Sequence, residues 1–151
     1  MWQSILAIGV LLSFSAGAHE VPRKPDPALT PADYCQPEGS DFEEYRYQEQ
    51  VAVCIRNVSR ELKAKIYEQY GIPEECRSRY TVDHFIPLFM GGSNRAQNLW
   101  PEHKAIKATR QNLEQETYLE LNRGEITYEE AVKRIVRAKE HPPRVVITPC
   151  R

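Results

Sequence analysis

The sequence has no C-x-x-C pair, no internal repeat and no excess of charge of either sign, with 20 Lys and Arg against 21 Asp and Glu in 151 residues. Without paired cysteines a zinc knuckle is not expected. The net charge of -1 also withholds the overall basic signature of many nucleic-acid binders, so any such role must rest on local charge. Apart from one stretch at the N-terminus there is no long apolar run, which excludes a multi-pass membrane protein. Gly, at 7 residues, and Pro, at 11, lack the abundance and period of a collagen-like or low-complexity chain. The remaining composition, 41% hydrophobic and 27% charged, is that of one ordinary globular domain.

The N-terminal exception is Ile5 to Phe14, an uncharged apolar run followed by Ala16, Gly17 and Ala18. Residues 1–18 read as a secretory signal peptide with an A-x-A cleavage site after Ala18, although the segment before the run has no Lys or Arg. The run is shorter than the roughly 20 residues that span a bilayer. A secreted or periplasmic protein, free of the membrane after cleavage, is expected. Export makes Cys35, Cys54, Cys76 and Cys150 an even set able to oxidise, so two disulfides are expected. Three pairings are open, of which Cys35 with Cys54 and Cys76 with Cys150 is preferred.

Residues 19–34, with Pro22, Pro25, Pro27 and Pro31, read as an extended leader, and the domain is expected over 35–151. Ser59 is suited to cap a helix carrying Leu62, Ile66 and Tyr70 and stopped by Gly71 and Pro73. Strand-like pieces follow at Tyr80-Thr81-Val82, Phe85 to Leu88 and Asn98-Leu99-Trp100, with a turn at Gly91 to Asn94, which predicts a hairpin with a wide loop. Pro101 suits the first turn of a second helix, through Ile106, Arg110, Leu113, Thr117 and Leu121 to Gly124. Thr127 with Glu130 makes a capping box for a third, burying Ala131, Val132, Ile135 and Val136 and ending at His141-Pro142-Pro143.

The informative stretch is Val82-Asp83-His84-Phe85-Ile86-Pro87-Leu88, then Gly91-Gly92-Ser93-Asn94, then Asn98-Leu99-Trp100-Pro101-Glu102-His103. A carboxylate beside a histidine at a strand end, followed by a hairpin and a further imidazole, has the parts for binding and cleaving a phosphodiester. These residues resemble the HNH, or ββα-metal (His-Me finger), nuclease family of secreted bacterial type, over roughly Arg79 to Glu114. The resemblance implies an α+β fold with a ββα-metal hairpin-helix core, flanking helices and disulfide support.

By the same resemblance, His84 is the general base, Asn98 takes the middle, bracing position counted with the catalytic residues, and Asp83 is a metal ligand. His103 is the candidate third position, with Lys107 and Gln111 as alternative alignments; Lys is a poor metal ligand. One divalent cation is implied, Mg²⁺ first, with Mn²⁺, Ni²⁺ or Zn²⁺ open. DNA or RNA is the implied substrate, cut with low sequence selectivity by a monomer. A neutral imidazole suits removal of a proton from the attacking water near pH 7. Lys104, Lys107 and Arg110 are the candidate phosphate contacts, with Lys133, Arg134, Arg137, Lys139 and Arg144 as a second basic group that can equally be a solvated face. The acidic group Asp41, Glu43 and Glu44 is expected away from the substrate. The competing reading is a secreted, disulfide-stabilised binding module on the same scaffold without turnover.

Overall fold

The computed structural model describes residues 20–148 and 150, so the signal-peptide reading of residues 1–18 lies outside the described residues. The chain is mixed α+β with two separate two-stranded antiparallel sheets. The first pairs β1 (Phe42–Arg46) with β2 (Val51–Cys54). α1 (Arg60–Gln69) begins at Ser59, whose Oγ accepts the Leu62 N–H at 3.1 Å, and stops where Gly71 takes a φ of 65°. A 3-10 segment, Glu74–Arg79, leads into the second sheet, β3 (Tyr80–His84) against β4 (Leu99–His103). Its register runs from Tyr80 opposite His103 to His84 opposite Leu99.

Disulfides join Cys35 to Cys54 and Cys76 to Cys150, which is the preferred pairing. The first bridge anchors the segment before β1 to the end of β2. The second ties the tail to the 3-10 segment entering β3. Two closed bridges fit an oxidising, extracytosolic setting. Among the described residues no helix is long and apolar enough to cross a membrane.

Three expectations are corrected. Phe85 to Leu88 is not a strand. There the Asn98 side chain takes over from the ladder, accepting the Ile86 N–H at 2.8 Å and donating to the Ile86 and Ser93 carbonyls at 2.9 Å. Pro101 lies inside β4 rather than in a helix, which a two-stranded sheet permits because every strand is an edge. The long second helix is consequently α2 (Lys104–Lys107), a 3-10 turn at Ala108–Arg110 and α3 (Leu113–Asn122). At that break the Thr109 hydroxyl donates back to the Ile106 carbonyl at 2.7 Å.

The third correction concerns the leader, which is extended but packed. Thr30 is buried, and its hydroxyl donates to the Leu99 carbonyl at 2.9 Å, while Asp33 pairs with Arg95. α4 (Tyr128–Glu140) carries the capping box of Thr127 and Glu130 and packs on α3. The main apolar cluster, Ile86, Met90, Leu121, Ala131 and Ile135, fixes both helices against the hairpin loop. Gly92 is required in that loop, because a Cβ there would be driven into the Ile86 carbonyl.

Candidate active site

Strand alternation sends Asp83 and His84 to opposite faces at the end of β3, so each builds its own surroundings. His84 is buried, with Nε2 3.1 Å from Asn94 Oδ1. That oxygen also accepts the Asn57 N–H at 3.1 Å, while Asn94 Nδ2 donates to the Ile55 carbonyl at 2.8 Å and to Asp41 Oδ2 at 2.6 Å. A backbone N–H only donates and a carbonyl only accepts, so the amide has one allowed orientation. Oδ1 is therefore an acceptor, and His84 carries its proton on Nε2. Nδ1 keeps a lone pair, 3.3 Å from Arg56 Nη1. Burial lowers the His84 pKa, with Arg56 and Lys139 acting in the same sense against Asn94 and Asp83, so the imidazole is neutral near pH 7.

His84 and Asp83 line a cleft of about 450 Å³ together with Glu43, Arg46, Arg56 and Glu114. Of the acidic group, Asp41 and Glu43 lie at or behind this cleft. Asp41 anchors Asn94 behind His84, and Glu43 sits on the cleft wall paired with Arg46 at 3.1 Å. Both belong to the segment that the first disulfide closes.

On the other face Asp83 lies in a buried ionic cluster. Lys107 Nζ stands 2.9 Å from Oδ1, and Lys139 Nζ and Arg110 Nη2 stand 3.5 and 3.8 Å from Oδ2. Glu102, fully buried on the same face of β4, accepts Arg110 at 2.5 Å. Lys139, itself buried, reaches Glu114 at 2.7 Å and donates to the His84 carbonyl at 2.6 Å. Burial acts to raise the Asp83 pKa, but Lys139, Lys107 and a hydrogen bond from Glu102 hold it well below the usual carboxylate range. Glu102 is pushed up to about 7 by burial, opposed by Arg110 and Lys139 and reinforced by the Asp83 charge. The two carboxyls thus keep a proton on the Glu102 side up to neutral pH.

The remaining sequence candidates fall as follows. Asn98 has no exposed surface and braces the loop through Ile86 and Ser93, away from the cleft. His103 is three residues along the ladder and on the opposite face from Asp83; it caps α2 by accepting the Ala105 N–H at 3.2 Å and stacks edge-on against Tyr80. The structure does not bring His103 to Asp83. Lys104 donates to the Ser78 carbonyl at 2.7 Å, while Lys107 and Arg110 are committed to Asp83 and Glu102. Lys139, read as part of a basic surface, is an interior cation. Sequence reasoning missed Asn94, Asp41, Arg56 and Glu102 as parts of the site. Once Pro101 is placed in a strand, alternation from Trp100 would have put Glu102 on the Asp83 face.

A divalent cation does not fit this donor set. Among the described residues no group of three or more His, Cys, Asp or Glu is placed to hold a metal ion. Asp83, the one carboxylate the resemblance offers, already faces three cations, and the nearby Glu114 is paired with Lys139. A dication 4 Å from a single ammonium meets about 8 kcal/mol of repulsion at an effective dielectric of about 20. Comparison of the chain with family models, with curated proteins and with solved structures gives no match.

Proposed function

We propose that the chain is an exported phosphodiester hydrolase acting on DNA or RNA with low sequence selectivity, with His84 as general base. The observation that carries this reading is the locked imidazole: Asn94 holds the Nε2 proton and leaves the Nδ1 lone pair beside Arg56 in a cleft. A neutral base with a fixed tautomer suits removal of a proton from water, and such a base is worth about a hundredfold to ten-thousandfold. The motif from Asp83 to His103, carried by a hairpin with a helix directly after it, supports the same reading.

In this mechanism Arg56 holds the phosphate by its guanidinium group, while Arg46 is committed to Glu43 and Glu44 on the cleft wall. Water attacks phosphorus as its proton passes to His84 Nδ1, and the bond from phosphorus to the leaving oxygen breaks. The leaving oxygen is protonated from solvent, and His84 returns its proton to solvent before the next turnover. Arg56 has a double part, since in the resting site its guanidinium faces Nδ1 and must turn to the phosphate for the base to accept a proton.

The test is incubation of the oxidised protein with plasmid DNA and with RNA, with added Mg²⁺ or with chelator. Cleavage by the wild type, reduced at least about a hundredfold in His84→Ala with folding retained, is the expected result. No cleavage of either substrate under any condition would overturn the reading in favour of a binding module.

A further inference from the structure

We propose that the Lys107 ammonium is the resident cation of the Asp83 site, so that the protein binds no divalent ion there and cleaves phosphodiesters without one. The inference rests on the hydrolase reading and goes beyond it by naming what supplies positive charge in place of a metal. The side chains themselves carry the argument. Lys107 Nζ lies 2.9 Å from Asp83 Oδ1, on the face of β3 opposite His84, and Asp83 itself borders the cleft that His84 lines. Lys107 comes from α2, the helix that directly follows the hairpin, and its side chain is 42% exposed, so the ammonium sits at the open edge of the cluster.

The rest of the cluster keeps it there. Lys139 and Arg110 approach the other oxygen of Asp83, and Glu102 is shielded from solvent by the same groups. Asp83, Glu102 and Glu114 each already have a cationic partner, so a dication entering among them has to expel one. An ammonium at this position does part of what a metal does, in that it attracts the phosphate oxygens and offsets charge that grows as the ester bond breaks. It lacks the ability to lower the pKa of a bound water, which leaves the proton to His84.

Two readouts decide the matter. In the first, Mn²⁺ is titrated into oxidised wild type and Lys107→Met and followed by calorimetry and by the electron paramagnetic resonance signal of the free ion. Wild type should give no saturable site, whereas Lys107→Met, which frees Asp83 Oδ1 but leaves Lys139 and Arg110 on Oδ2, should show weak saturable binding, at least about tenfold above the wild-type background at equal Mn²⁺. Lys107→Gln gives a second variant of similar size. The partly exposed position makes retained folding, checked by circular dichroism, the expected result for both.

In the second, nuclease activity is measured with chelator and with Mg²⁺. Wild type should be equally active in both, and Lys107→Met should lose at least about tenfold with chelator and regain part of it with Mg²⁺. Wild type that binds Mn²⁺ at Asp83, or that cleaves only when Mg²⁺ is present, overturns the resident lysine and leaves the hydrolase reading standing. Wild type inactive in every condition overturns the hydrolase reading and this inference with it.

Discussion

Replacing Asn94 with Ala tests the locked imidazole directly, because its Oδ1 is the acceptor for the Nε2 proton, leaving Arg56 at Nδ1 as the ring's other partner. The variant removes bonds to the Asn57 N–H, the Ile55 carbonyl, Asp41 and His84 Nε2. Each is worth about 1 kcal/mol net, and a buried group left without a partner costs about 1–3 kcal/mol. The cleft next to His84 lets water reach some of the abandoned groups, so the expected loss of stability is about 2–4 kcal/mol, below the sum of the upper limits. The Nε2–H tautomer loses a bond of about 1–1.5 kcal/mol, which moves the balance between Nε2–H and Nδ1–H by about tenfold. Long-range proton–nitrogen correlation on protein labelled with ¹⁵N-histidine reads that balance at His84 without any substrate, and urea unfolding reads the stability. Wild type should show Nε2–H alone and the variant a mixture, with nuclease activity down about tenfold for the same reason. A wild-type His84 protonated on Nδ1, or unchanged tautomers in the variant, would refute the reasoning from the Asn94 amide to the base.

Three further outcomes follow from the interior charges and the bridges. Glu102, faced by Asp83 from β3, Arg110 after α2 and Lys139 from α4, has its folded pKa raised, so its stabilising share is full below the ordinary value of 4.5 and is lost as pH rises through about 7. Glu102→Gln should remove that fall in stability between pH 5 and 7, as measured by urea midpoints; an unchanged pH profile counts against the protonated carboxyl. Lys139→Met removes one of the three cations around buried Asp83 and the partner of half-exposed Glu114, and should cost about 2–3 kcal/mol by urea unfolding; a loss under about 1 kcal/mol would mean that the cluster does not depend on it. Opening the Cys76–Cys150 bridge, at a sequence separation of 74, should cost about 4 kcal/mol against about 3 for Cys35–Cys54 at 19, a difference that thermal scans of the two paired Cys→Ser variants should resolve.

Much of the fold was legible because local signals and long-range constraint agreed. Ser59 and Gly71 bracket α1, Thr127 and Glu130 open α4, and both disulfides pair as preferred. The errors cluster where a side chain replaces a backbone signal. Asn98 holds Ile86 in place of a strand ladder, and Pro101 enters an edge strand although its ring equally suits a helix start. β1 was missed because Glu43, Glu44 and Arg46 leave it mostly polar, so it carries no apolar alternation of the kind that marks a strand.

The site was legible only in its seed, Asp83 and His84, because its other members are set by the tertiary fold. Asp41 and Arg56 reach His84 from before α1 through the first hairpin, at 43 and 28 residues' remove, and no spacing rule links them to a D-H pair. Lys139 is different, since the sequence held a usable signal. It stands four residues after Ile135 and eight after Ala131, on the stripe that α4 buries, and was nonetheless read with its charged neighbours as a surface. A lysine at a buried helical position must bring its own counter-charge inside, so its presence on that stripe already called for interior carboxylates elsewhere in the chain. Buried Asp83 and half-exposed Glu114 are the carboxylates that pair with Lys139, which joins the cation on α4 to acids of the hairpin and α3. The same requirement accounts for the buried Lys139 and the mostly buried Arg110 side chain around Asp83, while the half-exposed Lys107 closes the outer side of that carboxylate.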